Sequence, residues 1–326
     1  MQEVLETTQW VVKHARDVKI SPENITGFVD KYFNLFADAR FGGWDKDIHF
    51  FDGMEETVRW IFVLEVLNHC FWPDPGQPRW EVPYRGRKYS GYVGLAISLK
   101  RAMEENVPIT NALFLARMNY EILSTILRGA GEIPMLTERI SNLREAGQVL
   151  LEKFDGDAVN LVKAADHSAV RLVHIVVKNF SSFRDQAQYA VPEGELTVFF
   201  WKRAQIFASD LWKAFSGNEW GQFYDVKNLT AFADYKVPQV LRHLEVIRYS
   251  ENLAELVDNR VILQAGSRQE VEIRAATIQA VELIKLELAR RNLRLSSAEI
   301  DGVLWTLGQQ EEFRQKPYHL CRTIFY

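Results

Sequence analysis

The chain has 326 residues, 47% of them hydrophobic and 25% charged, with a formal net charge of −4. That length supports a large core in one big domain or two smaller ones, and the composition is that of an ordinary soluble globular protein. The acidic balance argues against a general nucleic-acid binder, which needs a basic surface to neutralise phosphates, but is compatible with a local basic pocket for one phosphate.

The first six residues, Met1 to Glu6, lack the basic start and apolar stretch of a secretory signal. No apolar run reaches the roughly eighteen residues of a membrane span. The two cysteines, Cys70 and Cys321, form no metal-type or redox-type spacing, which suits a reducing interior. A soluble cytoplasmic protein with no membrane association is expected.

Helical periodicity dominates the chain. Val4, Leu5, Val11, Val12 and Ala15 share one face of a first helix, and Ser21-Pro22-Glu23 reads as an N-cap followed by proline at the first helical position. Gly53 to Phe71 reads as a largely apolar helix in which Val58, Ile61, Phe62, Val66 and Leu67 imply burial on more than one side. Pro73 to Tyr89 breaks the pattern: Pro73, Pro75, Gly76, Pro78, Pro83 and Gly86 exclude a helix, while Trp80-Glu81-Val82 and Arg87-Lys88-Tyr89 can pair as a short hairpin. Ile109 to Leu127, Leu136 to Phe154, Ser168 to Phe180 and Val198 to Phe215 return to helical spacing. Ser267 to Arg291 is a long amphipathic segment, and Ser296-Ser297-Ala298-Glu299 is a capping box that opens the last clear helix. The expected architecture is a single large, mostly α-helical domain spanning residues 1–326, with a small β-hairpin and two lobes around a central cleft.

The sequence lacks the glycine-rich phosphate loop and the Gly-x-Ser-x-Gly elbow, and its seven histidines show no metal-ligand spacing. Chemistry therefore falls to carboxylates and aromatic rings, and neither metal nor organic cofactor is expected. The most informative stretch is Leu229 to Leu241, where Asp234 stands among apolar residues just before Pro238 and a run that reads as a helix. A carboxylate there can cap the helix by accepting backbone N–H bonds. It can also face a pocket, held ionised by the helix dipole, and stabilise a developing cation. Spacing alone leaves both roles open.

The ordered blocks along the chain resemble one family. They include Leu67-Asn68-His69-Cys70-Phe71-Trp72, Tyr84 to Tyr92, Pro108 to Ala112, Ser182-Phe183-Arg184-Asp185, Trp201 to Ile206, Phe232 to Leu241, Arg268 to Arg274, Asp301 with Leu304-Trp305, and Pro317 to Arg322. Together they resemble the queuosine salvage proteins, which are queuosine 5′-monophosphate N-glycosylases, over nearly the whole chain. Trp201, Lys236 and His69 depart from the eukaryotic pattern. The resemblance implies a core similar to helix-hairpin-helix DNA glycosylases, a small-molecule substrate, and hydrolysis that releases queuine and ribose 5-phosphate.

Within that resemblance Asp234 is the catalytic acid, as electrostatic stabiliser, base or nucleophile. Asp301 is the candidate for the edge of the base, with Phe232 and Trp305 placed to stack on its ring; a first-turn acid and a core tryptophan are the bland alternatives. His49, in a loop with Gly42, Gly43 and Gly53 around it, is a base or cyclopentenediol contact. Lys202, beside Arg203, is the candidate for the 5′-phosphate. Glu270 and Arg274, four residues apart, can pair on one helix face, so Arg268 to Arg274 reads as an ion-pair network that positions the Asp234 helix. The enzyme is expected to be a monomer with no stable nucleic-acid partner. A nucleic-acid base-excision glycosylase and a non-catalytic queuine carrier are the alternatives.

Overall fold

Amphipathic and wholly apolar helices bury most of the apolar sequence, as the periodicity requires. The computed structural model describes residues 1–38, 43–192 and 194–326; Gly42 lies outside the described residues. Among them are fourteen α-helices and four two-stranded β pairings. The fold is mostly α. The chain divides into two compact units, each built from separate stretches of sequence.

The first unit comprises Met1–Gly42, Asp185–Gln205 and Lys227–Thr323. Its axis is the Arg268–Arg290 helix, capped by the Ser267 hydroxyl. Every residue from Glu270 to Ile278 is buried, so this helix is enclosed on all sides rather than amphipathic there, and Ala275 and Ala276 let its neighbours approach. Buried charges on such a helix need partners. Glu272 accepts the backbone N–H groups of Arg16, Asp17 and Val18 at 3.1, 2.6 and 3.1 Å and the Tyr189 hydroxyl at 2.7 Å, so one carboxylate ties the end of the Gln2–His14 helix to a β-hairpin. Burial, then the hydrogen bond to Glu272, pushes the Tyr189 phenol up from its usual range.

That hairpin, Gln186–Val191 with Gly194–Phe199, pairs Tyr189 with Leu196. It corrects one expectation. Val198 to Phe215 is not one helix: the strand ends at Phe199, Trp201 adopts a left-handed conformation (φ +51°), and a helix runs from Lys202 to Ala214. The apolar residues Val198 to Trp201 suit a buried strand end as well as a helix, and periodicity alone cannot separate the two. The same unit holds the Lys236–His243 helix and the Ser297–Leu307 helix, where the Ser296–Glu299 capping box forms with both reciprocal bonds.

The second unit comprises Gly43–Arg184, Ile206–Val226 and Ile324–Tyr326. Its Glu55–Leu67 helix is buried at Thr57, Val58 and every position from Trp60 to Leu67. It stops four residues short of Phe71 because the fully buried Arg139 guanidinium donates to the carbonyls of Leu67, His69 and Cys70, taking up acceptors that the helix end leaves open. His69 is fully buried at that junction. Ile109 to Leu127 also departs from expectation. Asn111 and Asn119 each accept a backbone N–H and start separate short helices, Ala112–Ala116 and Tyr120–Ile126. The Leu136–Lys153 helix crosses the first of these at Gly147, where a Cβ would lie 2.3 Å from the Ala116 nitrogen. The expected hairpin is present, with Glu81–Tyr84 against Arg87–Ser90. No helix among the described residues is long and apolar enough to cross a membrane.

Candidate functional site

Residues Leu229 to Asp234 form no helix or strand, yet each is at most 7% exposed. Irregular backbone buried this deeply must have its polar groups met by side chains. Three side chains of the first unit supply them. Gln205, near the start of the Lys202–Ala214 helix, exchanges bonds with Thr230, accepting its N–H and donating to its hydroxyl, both at 2.9 Å. Asp301, on the Ser297–Leu307 helix, accepts the Phe232 N–H at 2.9 Å. Arg274, on the central helix, donates through Nε to the Ala233 carbonyl at 3.2 Å.

Asp234 ends this segment. Its Oδ1 accepts the backbone N–H groups of Lys236 at 2.7 Å and Val237 at 3.0 Å, the free donors at the start of the Lys236–His243 helix. Its Oδ2 accepts no hydrogen bond from any described residue. Of the two roles left open by the sequence, the capping role is present and is carried by one carboxylate oxygen. Oδ1 caps the helix and thereby fixes the direction of Oδ2 at the positive end of the helix dipole.

Phe232, Asp234 and Asp301 are brought together, with Asp301 bonded directly to the Phe232 backbone. Trp305, half-buried, lies one helical turn beyond Asp301. Lys202 is buried at the first position of its helix, where its backbone N–H donates to Asp185 Oδ2 at 3.2 Å. The adjacent Arg203 is also buried.

His49 belongs to the second unit. Its ring stacks on Trp44 with centroids 4.1 Å apart. Nδ1 lies 3.0 Å from the Asp45 carbonyl and Nε2 lies 2.9 Å from the Tyr92 hydroxyl. A carbonyl only accepts, so Nδ1 carries the proton and, in the neutral ring, Nε2 accepts from Tyr92. Burial pulls the His49 imidazole below its ordinary pKa of about 6.5, with the Asp210 carboxylate opposing. Burial also raises the Tyr92 phenol well above its ordinary value. The pair is therefore neutral at pH 7.

Several residues that build this geometry carry no site signature in the sequence. Gln205, Asp185 and Tyr92 lie in the motif blocks but carry no local signature. Arg274 was expected to pair with Glu270, and their charged atoms are 3.5 Å apart. Its shorter contacts, with Asp185 at 2.8 and 2.5 Å, join residues 89 positions apart in sequence. Among the described residues no cluster of three or more His, Cys, Asp and Glu side chains could hold a metal ion.

Comparison with known proteins gives one consistent result. Residues 48–326 match the family described as queuosine salvage protein. The chain is 46% identical over 323 residues to the queuosine 5′-phosphate N-glycosylase/hydrolase of Sphaerobacter thermophilus, covering 99% of this chain and 97% of that protein. It is 38% identical over 335 residues to the protein of that name from Dictyostelium discoideum, covering 99% and 98%. Against the Bos taurus protein, also of that name, identity is 36% over 341 residues, covering 98% of each.

Proposed function

The chain belongs to the queuosine salvage protein family, and from that premise we propose that it hydrolyses the N-glycosidic bond of queuosine 5′-monophosphate, releasing queuine and ribose 5-phosphate. The observation that carries the mechanism is the Asp234 carboxylate, buried and capped through Oδ1 alone. As the bond between ribose C1′ and the base nitrogen breaks, its electron pair leaves with the base and positive charge develops on the sugar. A fixed carboxylate oxygen near that carbon stabilises the charge without having to reorganise. Water then supplies hydroxide to C1′, and the remaining proton balances the charge on the departing base.

A 7-deazaguanine base has no N7 to protonate, so its departure is assisted through its exocyclic oxygen and ring nitrogens. In this reading Asp301 accepts from the N–H edge of the base, Phe232 and Trp305 pack on its ring, and Lys202 meets the 5′-phosphate. His49, neutral and oriented by Asp45 and Tyr92, contacts the base or its cyclopentenediol. The same proposal takes residues 1–326 as one functional domain with a core like that of helix-hairpin-helix DNA glycosylases. It acts as a cytoplasmic monomer on a free nucleotide, with neither metal nor organic cofactor and no nucleic-acid partner.

The test is mass-spectrometric detection of free queuine after the purified protein is incubated with queuosine 5′-monophosphate, with queuosine and guanosine monophosphate in parallel. Queuine released from the queuosine nucleotide, and no guanine from guanosine monophosphate, is the expected result. Saturable binding of queuine without any release would make the protein a carrier instead.

A further inference from the structure

Asp185 and Arg274 form a buried ion pair of the first unit, and their contacts converge on the residues assigned to the reaction. The guanidinium of Arg274 donates through Nη1 and Nη2 to both carboxylate oxygens of Asp185, at 2.8 and 2.5 Å, and both residues are at most 3% exposed. The face of the guanidinium lies 3.9 Å from the centre of the Phe200 ring. Its remaining donor, Nε, holds the Ala233 carbonyl at 3.2 Å, in the peptide whose nitrogen belongs to Asp234. Asp185 holds the other side. Its Oδ2 accepts the Lys202 N–H at 3.2 Å, and its backbone carbonyl accepts the N–H groups of Phe200 and Trp201 at 3.0 and 3.1 Å. Those bonds fix the left-handed residue Trp201 that turns the strand into the helix carrying Lys202.

A buried ion pair contributes little net stability when apolar residues could replace it, because desolvation offsets most of the attraction. Here the pair also has a planar, two-pronged geometry that sets direction as well as distance. We propose that Asp185 and Arg274 are positioning residues that hold Asp234 and Lys202 in one fixed relation, so that the carboxylate meets the sugar while the lysine meets the phosphate. The inference rests on the glycosidase reading above. The pair itself touches neither the sugar nor the base. Arg274 acts through the Ala233 carbonyl and Asp185 through the Lys202 amide.

Lysine at position 274 keeps a positive charge opposite Asp185 but loses the fork and the separate Nε donor. Queuine release from queuosine 5′-monophosphate would be measured for the wild type, Arg274→Lys, Asp185→Asn and Arg290→Gln, under turnover and with enzyme in excess, alongside thermal melting. Displacing a catalytic group by a fraction of an ångström is expected to lower kcat about 10- to 100-fold in Arg274→Lys, with KM changed far less. Arg290→Gln, on the same helix but exposed and paired only locally with Glu287, is expected to keep wild-type kcat. In an Asp234→Asn background Arg274→Lys should cost little further rate, because the group it positions is already disabled.

Unchanged kcat in Arg274→Lys with an active wild type would overturn the positioning role and leave the glycosidase reading intact. A rate loss that multiplies in full with Asp234→Asn would do the same, marking a general structural defect. A wild type that releases no queuine would overturn the glycosidase reading and this inference with it. Should the lysine variant not fold, Asp185→Asn, which keeps an oxygen facing Arg274, is judged by the same criteria.

Discussion

The Glu55–Leu67 helix from Trp60 onward and the Leu229–Asp234 segment are buried to nearly the same degree by opposite means. The helix meets its own backbone hydrogen bonds and is apolar on almost every side, so its burial follows from its own residues. The segment forms no regular structure, and its backbone is met by Gln205, Asp301 and Arg274 from three different helices. A buried stretch of the first kind is a packing element. One of the second kind is stable only while distant polar side chains stay in place, which makes it costly to keep and well suited to hold a carboxylate in one orientation.

Breaking the first kind should act on stability alone. Phe62 is fully buried, with ring centroids of Phe180, Phe183 and Phe207 5.3 to 6.0 Å away. Phe62→Ala is expected to lose about 3–5 kcal/mol in a denaturant melt, while the folded fraction keeps its kcat. Breaking the second kind should separate stability from recognition. Asp301→Ala leaves the buried Phe232 N–H without its acceptor and is expected to cost about 1–3 kcal/mol. Asp301→Asn keeps an acceptor oxygen, so its melting should stay near that of the wild type while KM rises if the carboxylate reads the base. Equal KM for the Asn variant and the wild type would confine Asp301 to the backbone tie.

The buried polar residues of the first unit also set the acid limit of stability. His319 is fully buried, and burial, then the nearby Arg274 charge, lowers its pKa to about 3. Below its unfolded value of about 6.5 the unfolded chain binds a proton that the folded chain does not, so stability falls with pH between these two values. The slope for one such group is about 1.4 kcal/mol per pH unit, or about 2 kcal/mol lost by pH 5. Melts of His319→Gln from pH 8 to pH 4 should show a shallower acid limb. An identical pH dependence would mean that another group governs it.

The same contrast explains what the sequence disclosed. Helices with regular apolar spacing and local caps were legible: Leu136–Lys153, Arg268–Arg290 and Ser297–Leu307 lie within a few residues of their expected bounds. The Gln186–Val191 and Gly194–Phe199 hairpin was missed because its apolar end merges with the following helix, and Ile109 to Leu127 was overextended because Asn111 and Asn119 restart the helix locally. At the site, Asp234 was legible as an acid before a helix, and Asp301 and Trp305 as a pair on one face. The bonds that hold them were not. Asp185 with Arg274 and Gln205 with Thr230 are meetings of polar groups distant in sequence, and no local periodicity encodes them.

In the proposed mechanism Asp234 divides its work, with Oδ1 fixing the helix and Oδ2 serving the reaction. Asp234→Asn tests it most directly, because the amide oxygen can still accept the Lys236 and Val237 N–H groups while the charge is gone. Melting temperature, queuine affinity and the rate of queuine release would be measured on the same preparation. Near wild-type melting and queuine binding are expected, with a rate at least about 100-fold lower. An Asn variant that releases queuine at close to the wild-type rate would contradict it.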